Sequence, residues 1–203
     1  MIAIVDYGVG NLFSLKSSLD KIGAEGVIAR DEKTLINAEK IILPGVGAFR
    51  DAIEKLRQTG FDNTLYKEVK KGKPIMGICL GMQMLFSKSY EYGEYEGLDL
   101  IKGNVKPLKG DIPENFKIPH IGWNSLQFKK ESPIFKYINN GDYVYFVHSY
   151  YAGDCDKNVI ASTDYGTEIT AAVQNDNVFG CQFHPEKSGE TGLKILKAFC
   201  DTE

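Results

Sequence analysis

The sequence predicts an α/β domain built on a mixed central sheet, and two observations carry that prediction. Through the first 88 residues short apolar runs alternate with amphipathic segments, the pattern of parallel strands covered by helices. From residue 101 onward, segments rich in β-branched and aromatic residues follow one another with turn signals between them, as strands joined by antiparallel hairpins do. A chain of 203 residues suits one hydrophobic core. No repeat or linker-like stretch divides it, so residues 1–203 are expected to form a single domain.

Each element has its own signal. Residues 2–6 (IAIVD) read as a buried strand, and residues 11–22 place Leu12, Leu15, Leu19 and Ile22 at helical spacing. Further strands fall near 26–30, 40–43 and 74–78. Between the last two, Phe49, Ile53 and Leu56, then Leu65 and Val69, mark two helices separated by the stop signal Thr59-Gly60. Met82 to Phe86 reads as the apolar start of another helix, and Tyr90 to Gly97 is polar and rich in glutamate. The later strand-like segments are 101–106, 120–128, 142–152, 158–164, 168–174 and 177–183. Gly110-Asp111-Ile112-Pro113 and Asn139-Asn140-Gly141 are turns by composition. A final helix over about 190–200 puts Leu193, Leu196 and Phe199 on one face.

Bulk properties exclude several functions. A formal net charge of -3 and a pI near 5.7 lack the basic excess of a nucleic-acid binder. Cys79, Cys155, Cys181 and Cys200 form no C-x-x-C pair, and no His or Cys cluster has a zinc spacing, so neither a metal nor another cofactor is expected. The opening apolar run is short and lacks the basic flank of a signal peptide, and no stretch reaches membrane-spanning length. A cytoplasmic location with free thiols is the expectation.

The chemistry concentrates in Gly77-Ile78-Cys79-Leu80-Gly81, which follows a strand and opens a helix. That is a nucleophile elbow: the glycines permit a sharp turn that presents the middle side chain at the carboxyl end of the strand. A cysteine at a helix N-terminus also gains thiolate character from the free N–H groups. Cys155, Cys181 and Cys200 lack this setting and read as structural. The nucleophile needs a base, and His184 stands in Phe183-His184-Pro185-Glu186 directly after a strand. On an extended backbone residues i and i+2 share a face, so Glu186 can orient the His184 ring. His148 and His120 have no such carboxylate and read as hydrogen-bonded core or site-lining histidines.

Two glycine-rich turns complete the inventory. The loop Pro44-Gly45-Val46-Gly47 can bring backbone N–H groups to a substrate and, with the amide of Leu80, form an oxyanion hole; a plain β-to-α turn is the alternative. The turn Asp6-Tyr7-Gly8-Val9-Gly10-Asn11 resembles part of a dinucleotide fingerprint, with Asp31 at the distance of a ribose-binding acid. Phe13 stands where that motif has its third glycine. A nucleotide-binding module and a free-standing cysteine hydrolase therefore stand as competing readings.

The ordered set Asp6–Asn11, Pro44–Gly47, Gly77–Gln83, His120–Asn124, Val147–Tyr150 and Gln182–Ser188 resembles the class I glutamine amidotransferases. Within them it is similar to the glutaminase subunits of imidazole glycerol phosphate synthases, over nearly the whole chain. The resemblance implies a flavodoxin-like three-layer α/β/α fold and a Cys79-His184-Glu186 triad that hydrolyses glutamine to glutamate and ammonia. It implies that the Val46 and Leu80 amides serve the oxyanion and that Gly47, Gln83, Glu91, Ser149 and Tyr150 line the glutamine pocket. His120, Trp123, Asn124 and Lys187 are implied to face a partner, a cyclase with a (β/α)8 barrel, in a heterodimer that passes ammonia into histidine biosynthesis. Paralogous pairs aminate bacterial surface sugars with the same triad, so the acceptor stays open. One departure is Cys181, where many of these proteins carry another small residue.

Overall fold

The computed structural model describes residues 1–202. Its main sheet begins with β1 (Ile2–Val5), β2 (Gly26–Ala29), β3 (Lys40–Gly45) and β4 (Ile75–Cys79). Between them come α1 (Leu12–Lys21), α2 (Glu32–Asn37), α3 (Phe49–Gln58) and α4 (Phe61–Lys70). After β4 the chain forms α5 (Leu80–Met84), β5 (Phe86–Ser89), β6 (Tyr95–Glu96), β7 (Ile101–Pro107), β8 (His120–Ser125) and β9 (Gln127–Phe128). It ends with β10 (Tyr143–His148), β11 (Tyr150–Gly153), β12 (Val159–Asp164), β13 (Glu168–Asn175), β14 (Val178–Cys181) and α6 (Gly189–Cys200).

Eight strands form the main sheet in the order β2-β1-β3-β4-β14-β13-β12-β9. β2, β1, β3, β4 and β14 run parallel, while β13, β12 and β9 add antiparallel pairings, so the sheet is mixed as the sequence predicts. Side chains alternate across it. Ala3, Val5, Ile41, Leu43 and Ile75 pack under Leu35, Ile53, Leu56 and Leu65 of α2, α3 and α4. Ile2, Ile4, Ile42, Met76 and Ile78 pack under Leu15, Leu19, Ile195 and Phe199 of α1 and α6. Burying both faces explains why the strands read as continuous apolar runs and not as alternations. Three layers result. No described helix is long and apolar enough to cross a membrane.

The second half departs from the expected segments in a consistent way. The stretch 120–128 is two strands: β8 pairs with β10 in a separate ribbon, while β9 joins the edge of the main sheet. The stretch 142–152 also divides, at Ser149, into β10 in that ribbon and β11 in a third sheet of order β11-β7-β5-β6. The breaks fall at Leu126 and Ser149, where no glycine or proline marks a change of sheet. β5 and β6 flank the polar stretch at Tyr90, where no strand is expected, and the expected helix at Met82 is the single short α5, with Phe86 already in β5. α2 also goes unforeseen, because in six residues it buries only Leu35; its signal is the Asp31 side chain, which accepts from Thr34 N at 2.8 Å.

Candidate active site

Cys79 ends β4 and caps α5 with φ 55°, a left-handed conformation for a non-glycine residue. Such a backbone costs about 1–3 kcal/mol and is held by the surrounding packing. The packing is visible at the flanking glycines. A Cβ on Gly81 would lie 1.9 Å from the Leu43 carbonyl oxygen, and one on Gly77 would lie 2.7 Å from the Gly81 carbonyl oxygen. The G-x-C-x-G pattern thus exists so that α5 can press against β3 and β4, which drives the Cys79 side chain out of the sheet line.

His184 follows β14, the parallel neighbour of β4, and this adjacency brings its ring to Cys79. Its backbone N–H donates to the Tyr145 carbonyl at 2.9 Å, and Ser188 Oγ donates to the His184 carbonyl at 2.6 Å, so the residue is tied on both sides. The ring is buried, with Nδ1 2.8 Å from Glu186 Oε1. A carboxylate only accepts, so Nδ1 carries the hydrogen and Nε2 is left for chemistry. Burial works against the imidazolium, but the Cys79 side chain and Glu186 together outweigh it and hold the His184 pKa up to about 9. Glu186 Oε2 is buried without a partner among the described residues, and its carboxylate is spent on the ring.

A cavity of about 340 Å³ opens over Cys79 and His184. Val46, Gly47, Leu80, Gln83, Glu91, Ser149, Tyr150 and Lys187 line it as well, so the structure brings together every expected pocket and oxyanion residue. Glu186 stands behind His184 and borders a neighbouring depression between α1 and α6 instead. Glu91 is half-committed: its Oε2 accepts from Phe49 N at 2.6 Å, at the start of α3. Burial pushes its carboxyl pKa upward against that hydrogen bond. Tyr7 donates to the Pro44 carbonyl at 2.7 Å and pins one end of the Pro44–Gly47 loop.

The expected partner-facing residues divide. Trp123 is half exposed, on the same face of the β8–β10 ribbon as the exposed Ile121 and Tyr143. His120 is fully buried and offers no surface; its ring stacks on Phe146 and Tyr165 at centroid distances of 4.9 and 3.8 Å. Nor is His148 a second base. Its Nδ1 donates to the Tyr150 carbonyl at 2.8 Å, its Nε2 meets His120 Nδ1 at 3.0 Å, and His120 Nε2 meets Asn124 Oδ1 at 2.8 Å. Three hydrogens would satisfy these contacts, one more than two neutral imidazoles hold. Burial opposes the extra proton, holding the His120 pKa below its usual value and taking that of His148 down to about 3. The pair is neutral and leaves one contact without its hydrogen.

Other candidates fall away. Asp31, the would-be ribose acid, is used in capping α2, and Asp6 pairs with Arg30 at 2.9 Å. Burial pushes the thiols of Cys155 and Cys200 up to about 11 and that of Cys181 higher still, where Glu186 adds to the effect. All three are poor thiolate sources at neutral pH. One residue at the site was missed by the sequence reading. Gln182, fully buried, directs its side-chain amide at Cys79 Sγ from 3.8 Å. The rule that paired His184 with Glu186 also puts residue 182 on the His184 face, and could have found it.

Known proteins share the sequence and the fold of this chain. The family model for glutamine amidotransferase class-I matches residues 3–202. The chain is 56% identical over 200 residues to an imidazole glycerol phosphate synthase subunit HisH of Caldanaerobacter subterraneus, covering 98% of this chain and 97% of that one. It is 48% identical to the protein of the same name in Oceanobacillus iheyensis, covering 98% of each. Among solved structures, PurLQS from Thermotoga maritima aligns with a TM-score of 0.77 at 23% identity, covering 98% of this chain and 97% of that one. The glutaminase domain of Trypanosoma brucei CTPS with bound acivicin aligns at 0.68 and 19%, covering 100% and 94%, which speaks for the fold alone.

Proposed function

The chain belongs to the class-I glutamine amidotransferases, and from that premise we propose that Cys79, His184 and Glu186 are the triad of a glutaminase. It supplies ammonia to an imidazole glycerol phosphate synthase in histidine biosynthesis. The observation that carries the residue assignment is the elbow cysteine and the carboxylate-bound His184 facing one cavity.

The geometry supports a two-stage reaction. Cys79 gives its proton to His184, and the thiolate attacks the side-chain carbonyl carbon of glutamine. The oxygen takes up negative charge opposite the Val46 and Leu80 amides. His184 returns the proton to the leaving nitrogen, ammonia departs, and a glutamyl thioester remains. His184 then deprotonates water, which attacks the thioester; the carbon–sulfur bond breaks, and glutamate leaves. Glu186 keeps Nδ1 protonated throughout. Gly47, Gln83, Glu91, Ser149 and Tyr150 hold the amino-acid end of the substrate.

Ammonia must reach its acceptor unprotonated, since amines are largely cationic near pH 7. A partner sealed over the cavity meets that need. The apolar ribbon face of Ile121, Trp123 and Tyr143, with Val46 exposed at the cavity, supports docking of a (β/α)8-barrel cyclase as a heterodimer. Trp123, Asn124 and Lys187 belong to that contact in this reading, and His120 underpins it from beneath.

The test of the nucleophile is labelling with a diazo-ketone analogue of glutamine followed by peptide mapping. The adduct is expected on Cys79, and an adduct on Cys155, Cys181 or Cys200 with Cys79 free would end the assignment. Glu186 has its own test. Glu186→Gln removes one of the groups that favour the imidazolium, so the alkaline limb of turnover, expected near pH 9, should move to lower pH. Turnover should fall about tenfold or more with KM for glutamine little changed, because the carboxylate acts on the base and not on substrate. Unaltered turnover and an unmoved limb would reduce Glu186 to a structural carboxylate.

A further inference from the structure

We propose that Gln182 is a further catalytic residue of this site: its side-chain N–H donates to the Cys79 sulfur and steadies the thiolate, and Gln83 holds the amide in that orientation. The inference rests on the reading of Cys79 as nucleophile.

The orientation follows from a chain of contacts with one consistent assignment. The Tyr150 carbonyl can only accept, so Gln83 presents Nε2 to it, at 3.0 Å. The second hydrogen of the same nitrogen meets Gln182 at 3.0 Å, which requires the Gln182 oxygen there. The Gln182 nitrogen is thereby turned toward Cys79 Sγ, 3.8 Å away. Turning the Gln182 amide over would set two nitrogens facing each other and leave a carbonyl oxygen against the sulfur, a repulsive arrangement for a thiolate. The chain is anchored at its far end, because the Tyr150 carbonyl also accepts from His148 Nδ1 at 2.8 Å. Gln182 itself is fully buried, so turning its amide away from these partners would leave it unsatisfied.

The chemistry gives the contact a direction. In the resting thiol Cys79 can donate toward the Val147 carbonyl, 3.9 Å away, and the Gln182 N–H meets only a weak acceptor. When the proton passes to His184, the sulfur becomes an anion and the same N–H becomes a charge-assisted donor. On attack, the sulfur forms its bond to carbon, its charge passes to the substrate oxygen, and that gain is lost. When water attacks the thioester and the carbon–sulfur bond breaks, the sulfur regains its charge and the gain returns. Gln182 therefore favours the thiolate before attack and the departure of sulfur in the second stage.

The test is the pH dependence of Cys79 alkylation by iodoacetamide in the purified chain, with and without its synthase partner. Gln182→Met removes the donor at nearly constant length, and Gln182→Asn keeps an amide but withdraws it by one methylene. In either folded variant the alkylation midpoint should rise by about one pH unit, which is about tenfold less thiolate below it. Thioester should also accumulate before the steady state, because the departing sulfur has lost its donor. A third measurement needs no substitution: in nitrogen-15-labelled protein the Gln182 side-chain N–H signals should move as Cys79 titrates and cease to do so once Cys79 is alkylated. Unmoved midpoints in the folded variants, or Gln182 signals indifferent to the thiol, overturn the proposal while leaving the nucleophile in place. Failure of the diazo-ketone analogue to label Cys79 would instead remove the reading on which it rests.

Discussion

Cys79→Ser is expected to lower glutamine hydrolysis by about a thousandfold or more, equivalent to about 4 kcal/mol of barrier, with no loss of fold. The packing that positions residue 79 belongs to its neighbours, since the close approaches run through Gly77 and Gly81 to β3 and α5. Serine is nearly the same size and inherits the same left-handed backbone. What it lacks is acidity: its O–H is far too weak an acid for His184 to deprotonate before attack. The imidazolium that Cys79 and Glu186 hold up to about 9 also loses the thiolate beside it. The measurement is steady-state hydrolysis beside a melting curve: lost activity with an unshifted melt supports the assignment. Retained activity would transfer the nucleophile's role to another group, and none of Cys155, Cys181 and Cys200 lines the cavity.

Features of this chain differ in whether local residues or distant partners fix them. β1, β3, β4 and the elbow could be read because their signals are local: an apolar run with a glycine-spaced nucleophile at its end. The pairing of His184 with Glu186 was readable because extended backbone places i and i+2 together. The splitting of 120–128 and 142–152 between sheets was not, since sheet membership depends on partners far along the chain. His120 shows the same limit. Alternation along β8 could have placed it opposite Ile121, but only the tertiary structure supplies the Phe146 and Tyr165 rings that bury it. Glu91 reached the cavity through a loop whose course no periodicity predicts.

The isolated chain is expected to hydrolyse glutamine slowly, and addition of its cyclase partner with the formimino-aminoimidazole carboxamide ribotide acceptor should raise the rate about 10²–10³-fold. That is the range by which a single missing oxyanion donor slows acyl transfer. The Pro44–Gly47 loop has the parts for such a switch. At Gly45 the chain passes so close to α5 that a Cβ would meet Gly81 N at 2.7 Å, and Tyr7 holds the Pro44 carbonyl. Gly47 is free: its φ is 93°, and a Cβ there would meet nothing within 4 Å. The peptide that carries the Val46 N–H lies between these two glycines and can rotate while Pro44 stays in place. Val46 is also exposed at the cavity, where a docked partner would touch it. If the partner binds better the state whose N–H faces the oxyanion, docking raises its population, and a ligand can shift an equilibrium in no other way. Restricting that rotation with Gly47→Ala should lower the stimulated rate far more than the basal one, because φ 93° is costly for alanine. Full activity of the chain alone would remove the coupling. Stimulation only by a synthase that aminates surface sugars would keep the triad and change the acceptor.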